Sequence, residues 1–476
     1  MSLVIAKYHQ LITIDQTSRP THKPSTNLAV LKILLINTPR SPHNGILEYA
    51  PEEAKYFIHK KLIGPPLGLL TLAAAVKSYH EVIVFDTKGE YDLCLDTPLL
   101  EALVEQLMVR YQPDVVGTTV ITSEFYYGIK ILETAKKCNP DVLTIIGGLH
   151  ATLCIDDFTD KSIDVVCQGQ AGQKFRDIVT AKEKKQPLES VPGIYLNTDE
   201  GLKKTKGYEK PWNDALDNFL MPDRKLLERW RETYAVKNAT SPATYLFTSL
   251  GCPYRCTFCS IWKQHGGAFI QRDVESVIGE LKIIDYNIVR FADANTIVNI
   301  DFIDRLFTRI EEEGIQKEYI MDIRTDTAVK YPELIKKLAR NGLKVVICGF
   351  ESYKETELEK YNKKSSVSFI ETAINIFHDN DIMLRGNYVI PNDYTLNDFK
   401  AMSDYADSHR VTYAGYTILT PIPGTVYYEQ TKDQIIDYDL SKYNFFNCVF
   451  PTRLSLGKFY EEVGRLWLIK KGDDVI

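Results

Sequence analysis

At 476 residues the chain has room for about two or three domains. It is 44% hydrophobic and 25% charged, as soluble globular proteins are, and a net charge of −6 with no long Lys/Arg run argues against nucleic acid as the main partner. Apolar runs shorter than the ~18–20 residues of a transmembrane helix, the lack of a signal pattern, and nine scattered cysteines that suit no disulfide framework point to a reduced cytoplasm.

Residues 1–29 are polar and irregular and read as a flexible extension. Order begins with Val30-Leu31-Lys32-Ile33-Leu34-Leu35-Ile36, a continuous apolar run such as a buried parallel strand needs. Similar short runs follow at 82–85, 114–117, 142–146 and 164–167, and helical patterns over 67–76, 99–109 and 126–135 lie between them. The alternation predicts a doubly wound, Rossmann-like α/β sheet over residues 30–185, with ligands at the carboxyl ends of its strands. Three of those ends carry suitable loops: Asn37-Thr38-Pro39-Arg40, Gly117-Thr118-Thr119-Val120-Ile121-Thr122-Ser123 and Gly147-Gly148-Leu149-His150-Ala151-Thr152. Small residues there admit backbone N–H groups to a ligand, and the hydroxyls bond polar groups. The same residue types also simply make turns.

Residues 186–243 read as a connector, with a small closing strand at 191–195 and a helix start at 221–227 that has Asp223 in its first turn. From 244 the strand–helix rhythm resumes, with six strands near 244–249, 288–293, 318–324, 343–349, 382–390 and 412–419. The helices between them show one apolar face each, as in Phe302, Ile303, Leu306, Phe307 and Ile310. Six units are two short of a closed eightfold barrel, so an open partial (β/α)6 barrel is expected over 244–425. Residues 426–476 are rich in aromatics and are expected to form a short C-terminal helical cap over the barrel mouth.

The barrel opens on Cys252, Cys256 and Cys259, spaced C-x3-C-x2-C. Three thiolates this close can hold three irons of a [4Fe–4S] cluster and leave the fourth open to a ligand. Structural zinc is a competing reading, although it favours C-x2-C pairs and a longer spacer. Three unrelated cysteines in a turn is the other. The spacing, with Phe258 just before the third cysteine, resembles the radical S-adenosylmethionine (SAM) superfamily. That resemblance implies a SAM whose amino and carboxylate groups chelate the open iron. Reductive cleavage then yields a 5′-deoxyadenosyl radical that abstracts hydrogen from an unreactive carbon.

Other strand ends fit the same resemblance. Asp293, or its neighbouring backbone, would accept from the SAM ammonium, and Arg324 would fork onto the SAM carboxylate. Glu351, in Cys348-Gly349-Phe350-Glu351-Ser352, resembles the acid that accepts from the ribose hydroxyls. The backbone around Leu419, ahead of Pro421-Ile422-Pro423-Gly424-Thr425, would border the adenine. Cys348 reads as a small buried hydrophobe rather than a fourth cluster ligand.

The loops of residues 30–185, together with Pro65-Pro66-Leu67-Gly68, resemble the cobalamin-binding domain that precedes the barrel in one class of radical SAM enzymes. Asn37, Thr119, Thr122, Ser123, Gly147, Gly148, His150 and Gly169 are the candidate cobalamin contacts. Where that class often has Gly-Glu-Gly-Glu, this chain has Gln168-Gly169-Gln170-Ala171-Gly172. The Asp-x-His-x-x-Gly signature is absent, which implies cobalt without a protein imidazole, and His150 reads as a hydrogen-bonding or packing residue. The resemblance implies a cobalamin-dependent radical SAM methyltransferase acting on a small molecule or biosynthetic intermediate, with a flavodoxin- or ferredoxin-type reductant. A cyclase or ring-rearranging enzyme that uses cobalamin without methyl transfer is one alternative, and a non-catalytic cobalamin or iron–sulfur carrier is another. No local motif selects the substrate.

Overall fold

The computed structural model describes residues 29–58, 64–207, 220–234, 241–411 and 413–468. The extension expected over residues 1–29 lies outside them but for its last residue. Two parallel sheets follow one another along the chain. The first is built from β1 (Lys32–Asn37), β2 (Glu81–Asp86), β3 (Val115–Thr119), β4 (Leu143–Gly147), β5 (Val165–Cys167), β6 (Tyr195–Thr198) and β7 (Gly201–Lys204), in the order β2-β1-β3-β4-β5-β6-β7. Strands β1 to β5 are parallel and have apolar centres because both faces are covered; in β1 only Lys32 is not buried. Gly128 lets the helix Phe125–Cys138 lie close on this sheet, since a Cβ there would come within 2.3 Å of the Val120 side chain. The register sets Asp86, Asn37, Thr119, Gly147 and Cys167 side by side at the carboxyl edge.

The closing strand expected at 191–195 forms later. Pro192-Gly193, with Gly193 at φ 70°, makes a turn that delays the strand to Tyr195, and β6 and β7 then add to the sheet antiparallel. The connector thus begins as part of the first sheet. Its later part is the 3-10 segment Arg224–Thr233, with Asp223 as its cap and accepting from the Lys225 N–H.

The second sheet holds β8 (Ala243–Leu246), β11 (Ile288–Phe291), β12 (Glu318–Asp322), β13 (Leu343–Glu351), β14 (Met383–Ile390) and β15 (Gly415–Ile418), all parallel, in the order β15-β14-β13-β12-β11-β8. It is a half-barrel. Helices cover the outer face: in Ile300–Glu312 the apolar stripe Phe302, Ile303, Leu306, Phe307 and Ile310 is buried, and Asn299 caps its start. The inner face has an apolar floor of Ala243, Ile288, Ile320, Val345 and Ile347. The strand expected at 244–249 divides in two. β8 stays in the sheet, while β9 (Ser249–Gly251) leaves it to pair antiparallel with β10 (Phe269–Gln271). The cause is Asp293, whose carboxylate accepts from the N–H groups of Thr248 and Ser249 and turns the chain out of the ladder.

The sheets are joined through the connector, whose Arg224 pairs with Glu280 of the second half at 2.6 Å, and through the C-terminal segment. Glu90, after β2, accepts from Arg229 and from the Trp230 indole, each at 2.7 Å, and Trp230 packs on Gly89. The segment after β15 is the one expected as a barrel cap. It returns to the first domain, where Gly45 N–H donates to Asn447 Oδ1 at 2.8 Å, Asn444 donates to the His43 carbonyl at 2.7 Å, and helix Leu456–Leu466 packs on residues 45–50.

Candidate active site

Gly251 ends β9 at φ 82°, and a Cβ there would meet the Ala268 carbonyl oxygen at 2.0 Å, so only glycine fits. The cysteine loop that follows is held from several sides. Thr257 donates to the Tyr361 carbonyl at 3.0 Å, Asn362 donates to the Arg255 carbonyl at 2.8 Å, and Tyr427 N–H donates to the Thr257 carbonyl at 2.9 Å. The Trp262 indole reaches the Cys256 carbonyl at 3.1 Å. Phe258 packs edge-on against Tyr361 with ring centroids 5.6 Å apart. Cys256 is buried, and Cys252 and Cys259 are half-buried. Burial pushes the Cys256 thiol up and Cys259 to about 11, while the Lys363 ammonium favours both thiolates. Three thiols on one braced loop beside a buried cation fit a cluster, because iron supplies the stabilisation that burial withholds from the thiolates. Cys348 lies in the core of the half-barrel and donates to the Ile323 carbonyl at 2.9 Å. Burial holds its thiol up at about 12.

Two expected SAM contacts have other work in this structure. Asp293 takes the backbone N–H and the hydroxyl of both Thr248 and Ser249 at 2.5–3.0 Å. Burial lifts its carboxyl to about 6 against the pull of those four donors. Its carboxylate therefore shapes the approach to the cysteine loop rather than standing open to an ammonium, which leaves the neighbouring backbone for that role. Arg324 binds Asp326 through Nε at 2.9 Å and the carbonyls of Lys363 and Lys364 through Nη2 at 2.9 Å. It also stacks 3.7 Å over the Tyr254 ring. Arg324 braces the loop from below, so a fork onto a SAM carboxylate is not its arrangement here.

The sequence reading missed Lys363. Its ammonium is buried, pairs with Glu351 Oε1 at 2.5 Å, and stands beside the cysteines. Burial opposes its charge, yet Glu351 and Cys256 hold its pKa above the ordinary range. Only the pairing reveals it, since one lysine of Asn362-Lys363-Lys364 looks like the other in sequence. Glu351 itself sits at φ 65°, an unusual backbone for a residue with a side chain, at a register shift between β13 and β14. Leu419 is buried, and its N–H donates to the Ile390 carbonyl at 2.9 Å.

The first sheet presents the other half of the site. At its carboxyl edge Asn37 donates to Asp86 at 2.7 Å, and Thr38 bonds Glu124 at 2.6 Å. Ser123 is buried, and the Thr122 hydroxyl is buried without a partner. Such an unpartnered donor at a strand end fits the amide-rimmed periphery of cobalamin. Gly148, at φ 108°, fits against the Val120 backbone and the Thr119 hydroxyl, where a Cβ would come within 2.5–2.7 Å. His150 is fully buried, lies edge-on to Phe125, and approaches Asp157 at 3.0 Å. Burial lowers its pKa against the pull of Asp157. Gly169, at φ 73°, donates to the Thr152 hydroxyl at 3.0 Å. In the loop without acids, Gln168 donates to the Thr152 carbonyl at 3.2 Å, and Gln170 lies 3.5 Å from His265 Nδ1.

That last contact matters for function. His265 follows the cysteine loop, and Gly424, at the end of β15's loop, packs on Leu153 after β4. The carboxyl edges of both sheets therefore face one another, with ligand-type loops on each side. Family models agree with this division. The B12 binding domain model matches residues 56–179, and the Radical SAM superfamily model matches residues 246–406. An uncharacterized methyltransferase of Pyrococcus horikoshii is 29% identical over 77% of this chain and 78% of its own length. The anaerobic magnesium-protoporphyrin IX monomethyl ester cyclase of Rubrivivax gelatinosus is 26% identical over 84% of this chain and 72% of its own. Among solved structures, the radical S-adenosylmethionine methyltransferase TsrM of Kitasatospora setae, with cobalamin and a [4Fe–4S] cluster bound, covers 91% of this chain and 85% of its own at a TM-score of 0.66. At 15% identity that likeness is one of fold.

Proposed function

The chain belongs to the cobalamin-binding radical SAM enzymes, and from that premise we propose that it methylates an unactivated carbon of a small-molecule substrate. The observation that carries this reading is the facing of the two carboxyl edges, through Gln170 with His265 and Gly424 with Leu153. A donor of methyl groups held on one sheet then stands against a radical source held on the other. When bound, the cluster and SAM supply a hydrogen-abstracting radical, and cobalamin supplies the methyl group.

The chain's own residues bind and orient. Cys252, Cys256 and Cys259 would hold three irons of the cluster and leave one for SAM. Lys363 would meet the SAM carboxylate and Glu351 the ribose hydroxyls, each loosening the bond that now joins them. Phe258 and the Leu419 backbone border the nucleoside. Across the cleft, Asn37, Thr119, Thr122, Ser123, Gly147, Gly148 and Gly169 line the cobalamin side, and His150 supports their loop from within. A one-electron donor of flavodoxin or ferredoxin type is required to reduce the cluster. All nine cysteines are free, and among the described residues no helix is long and apolar enough to cross a membrane. Both facts suit a cytoplasmic setting.

The Rubrivivax relative favours a second reading, a cyclisation that uses cobalamin without methyl transfer. Product analysis separates the two. Methylation releases both S-adenosylhomocysteine and 5′-deoxyadenosine, a cyclase releases only the latter, and a carrier releases neither. Turnover with substrate that gave 5′-deoxyadenosine alone would overturn the methyltransferase reading.

A further inference from the structure

The inner face of the half-barrel changes character layer by layer. Its floor is apolar, made of Ala243, Ile288, Ile320, Val345 and Ile347. On the same face, in register with Ile320 and Ile347, stand three charged side chains. Arg290, two residues beyond Ile288 on β11, donates to Asp322 at 2.8 Å and lies 5.4 Å over the Tyr245 ring. Its Nε is buried and has no partner. Arg385 shares a register row with Asp322, one strand of separation between them being Ile347 on β13. Above this layer comes the site already described: a Cβ on Gly349, two residues beyond Ile347, would strike Glu351 Oε1 at 2.3 Å and Lys363 Nζ at 2.8 Å. Two strand residues span about 7 Å, so the charged layer lies roughly one small functional group below the SAM side of the barrel.

Two guanidiniums lie near one carboxylate, and Asp322 pairs with Arg290 alone among the described residues. Arg385 has a single hydrogen bond among the described residues, from Nε to Asn387 Oδ1 at 3.3 Å, and its terminal nitrogens make none. Beside it Gly415 contributes no side chain; a Cβ there would come within 3.4 Å of Arg385 Nη2. Burial and the neighbouring Arg290 both disfavour the Arg385 charge, and Asp322 offsets only part of that. A half-buried cation whose bidentate edge is unused by the protein is open to a partner that the fold itself does not provide. The partner that matches a planar fork is a carboxylate or a phosphate.

We propose that Arg385, backed by Arg290, is the subsite for an anionic oxygen group of the substrate, a carboxylate or a phosphate, on the inner face of the half-barrel. This rests on the reading that a small molecule is transformed in the cleft above. It restricts the substrate class: a pure hydrocarbon leaves Arg385 unanswered, whereas a molecule with an acidic arm is anchored at one end with its reacting carbon directed upward.

The test uses the full chain with cluster and cobalamin reconstituted, and three probes of similar size: benzoate, phenyl phosphate and neutral benzyl alcohol, titrated by ligand-observed NMR. At least one anion is expected to bind the wild type tenfold or more tightly than the alcohol, and the ratio of the two anions distinguishes carboxylate from phosphate. Arg385→Gln is expected to abolish the preference, and Arg385→Lys to retain part of it. Asp322→Asn, which removes the competing carboxylate, is expected to tighten anion binding severalfold, an effect that a purely structural cluster would not give. Equal affinity for the three probes in the wild type, an unchanged preference in Arg385→Gln, or weakened anion binding in Asp322→Asn would each overturn the proposal. Iron content and SAM cleavage measured on the same wild-type preparation test the functional reading separately, because they do not depend on Arg385.

Discussion

Glu351, on a left-handed backbone, forms a buried pair with Lys363, and a strained, paired carboxylate at a strand end is suited to a ligand. Glu351→Ala leaves Lys363 without its acid partner and is expected to weaken SAM binding by about 1–3 kcal/mol, measured by equilibrium dialysis of the reconstituted protein. Unchanged affinity with lowered stability would make the pair purely architectural. Asp293 carries a pH signature. Its folded carboxyl titrates at about 6 against an ordinary 3.8, so the folded state binds the proton more tightly than the unfolded chain. Its contribution is therefore full below about pH 4 and falls as pH rises to 6, by on the order of 3 kcal/mol. The melting-temperature advantage of wild type over Asp293→Asn should shrink across that range; an advantage that grew with pH would contradict the assignment. These two residues also mark where the sequence was readable. Their positions at strand ends are legible in the sequence, but the donors gathered around Asp293 and the lysine opposite Glu351 depend on distant segments converging in space.

At the scale of elements, periodicity did well where one force dominates. Helix Leu67–Val76 has the predicted bounds, because apolar burial and the prolines before it agree. The buried strands were found to within a residue or two at most ends. It failed at β8 and β9, where a side chain from the loop after β11 captures the backbone, and at β6, where a glycine turn shifts the start. The loop between β9 and β10 yields the next expectation. Changing Cys252, Cys256 and Cys259 together to Ala should remove the brown chromophore and all SAM cleavage, while Cys348→Ala, whose thiol is engaged with the Ile323 carbonyl, should keep both. Four irons in the anaerobically reconstituted triple variant would put the cluster elsewhere.

At the scale of the molecule, the two carboxyl edges make one cleft, and the glutamine loop sits at its rim. Gln168 and Gln170 find partners in Thr152 and His265, so the loop holds its form without the acids often found there. Cobalamin is therefore expected to bind, with no histidine on cobalt, because His150 is enclosed by Phe125 and Phe158 and held near Asp157. Purification with hydroxocobalamin should give a near-stoichiometric complex whose Co(II) paramagnetic resonance spectrum lacks the triplet splitting of an axial nitrogen. Such splitting would refute the ligand assignment, and failure to retain any cobalamin would refute the cleft.

The bonds from Gly45 and His43 to Asn447 and Asn444 have a consequence in time. A chain is made from its N-terminus, so the first domain leaves the ribosome long before the segment that will cover its residues 41–50. Until that segment arrives, the cleft has both walls but no clasp. The contacts to Asn444 and Asn447 thus form only after both sheets have been made, so the two halves are expected to fold first and to be fastened together late.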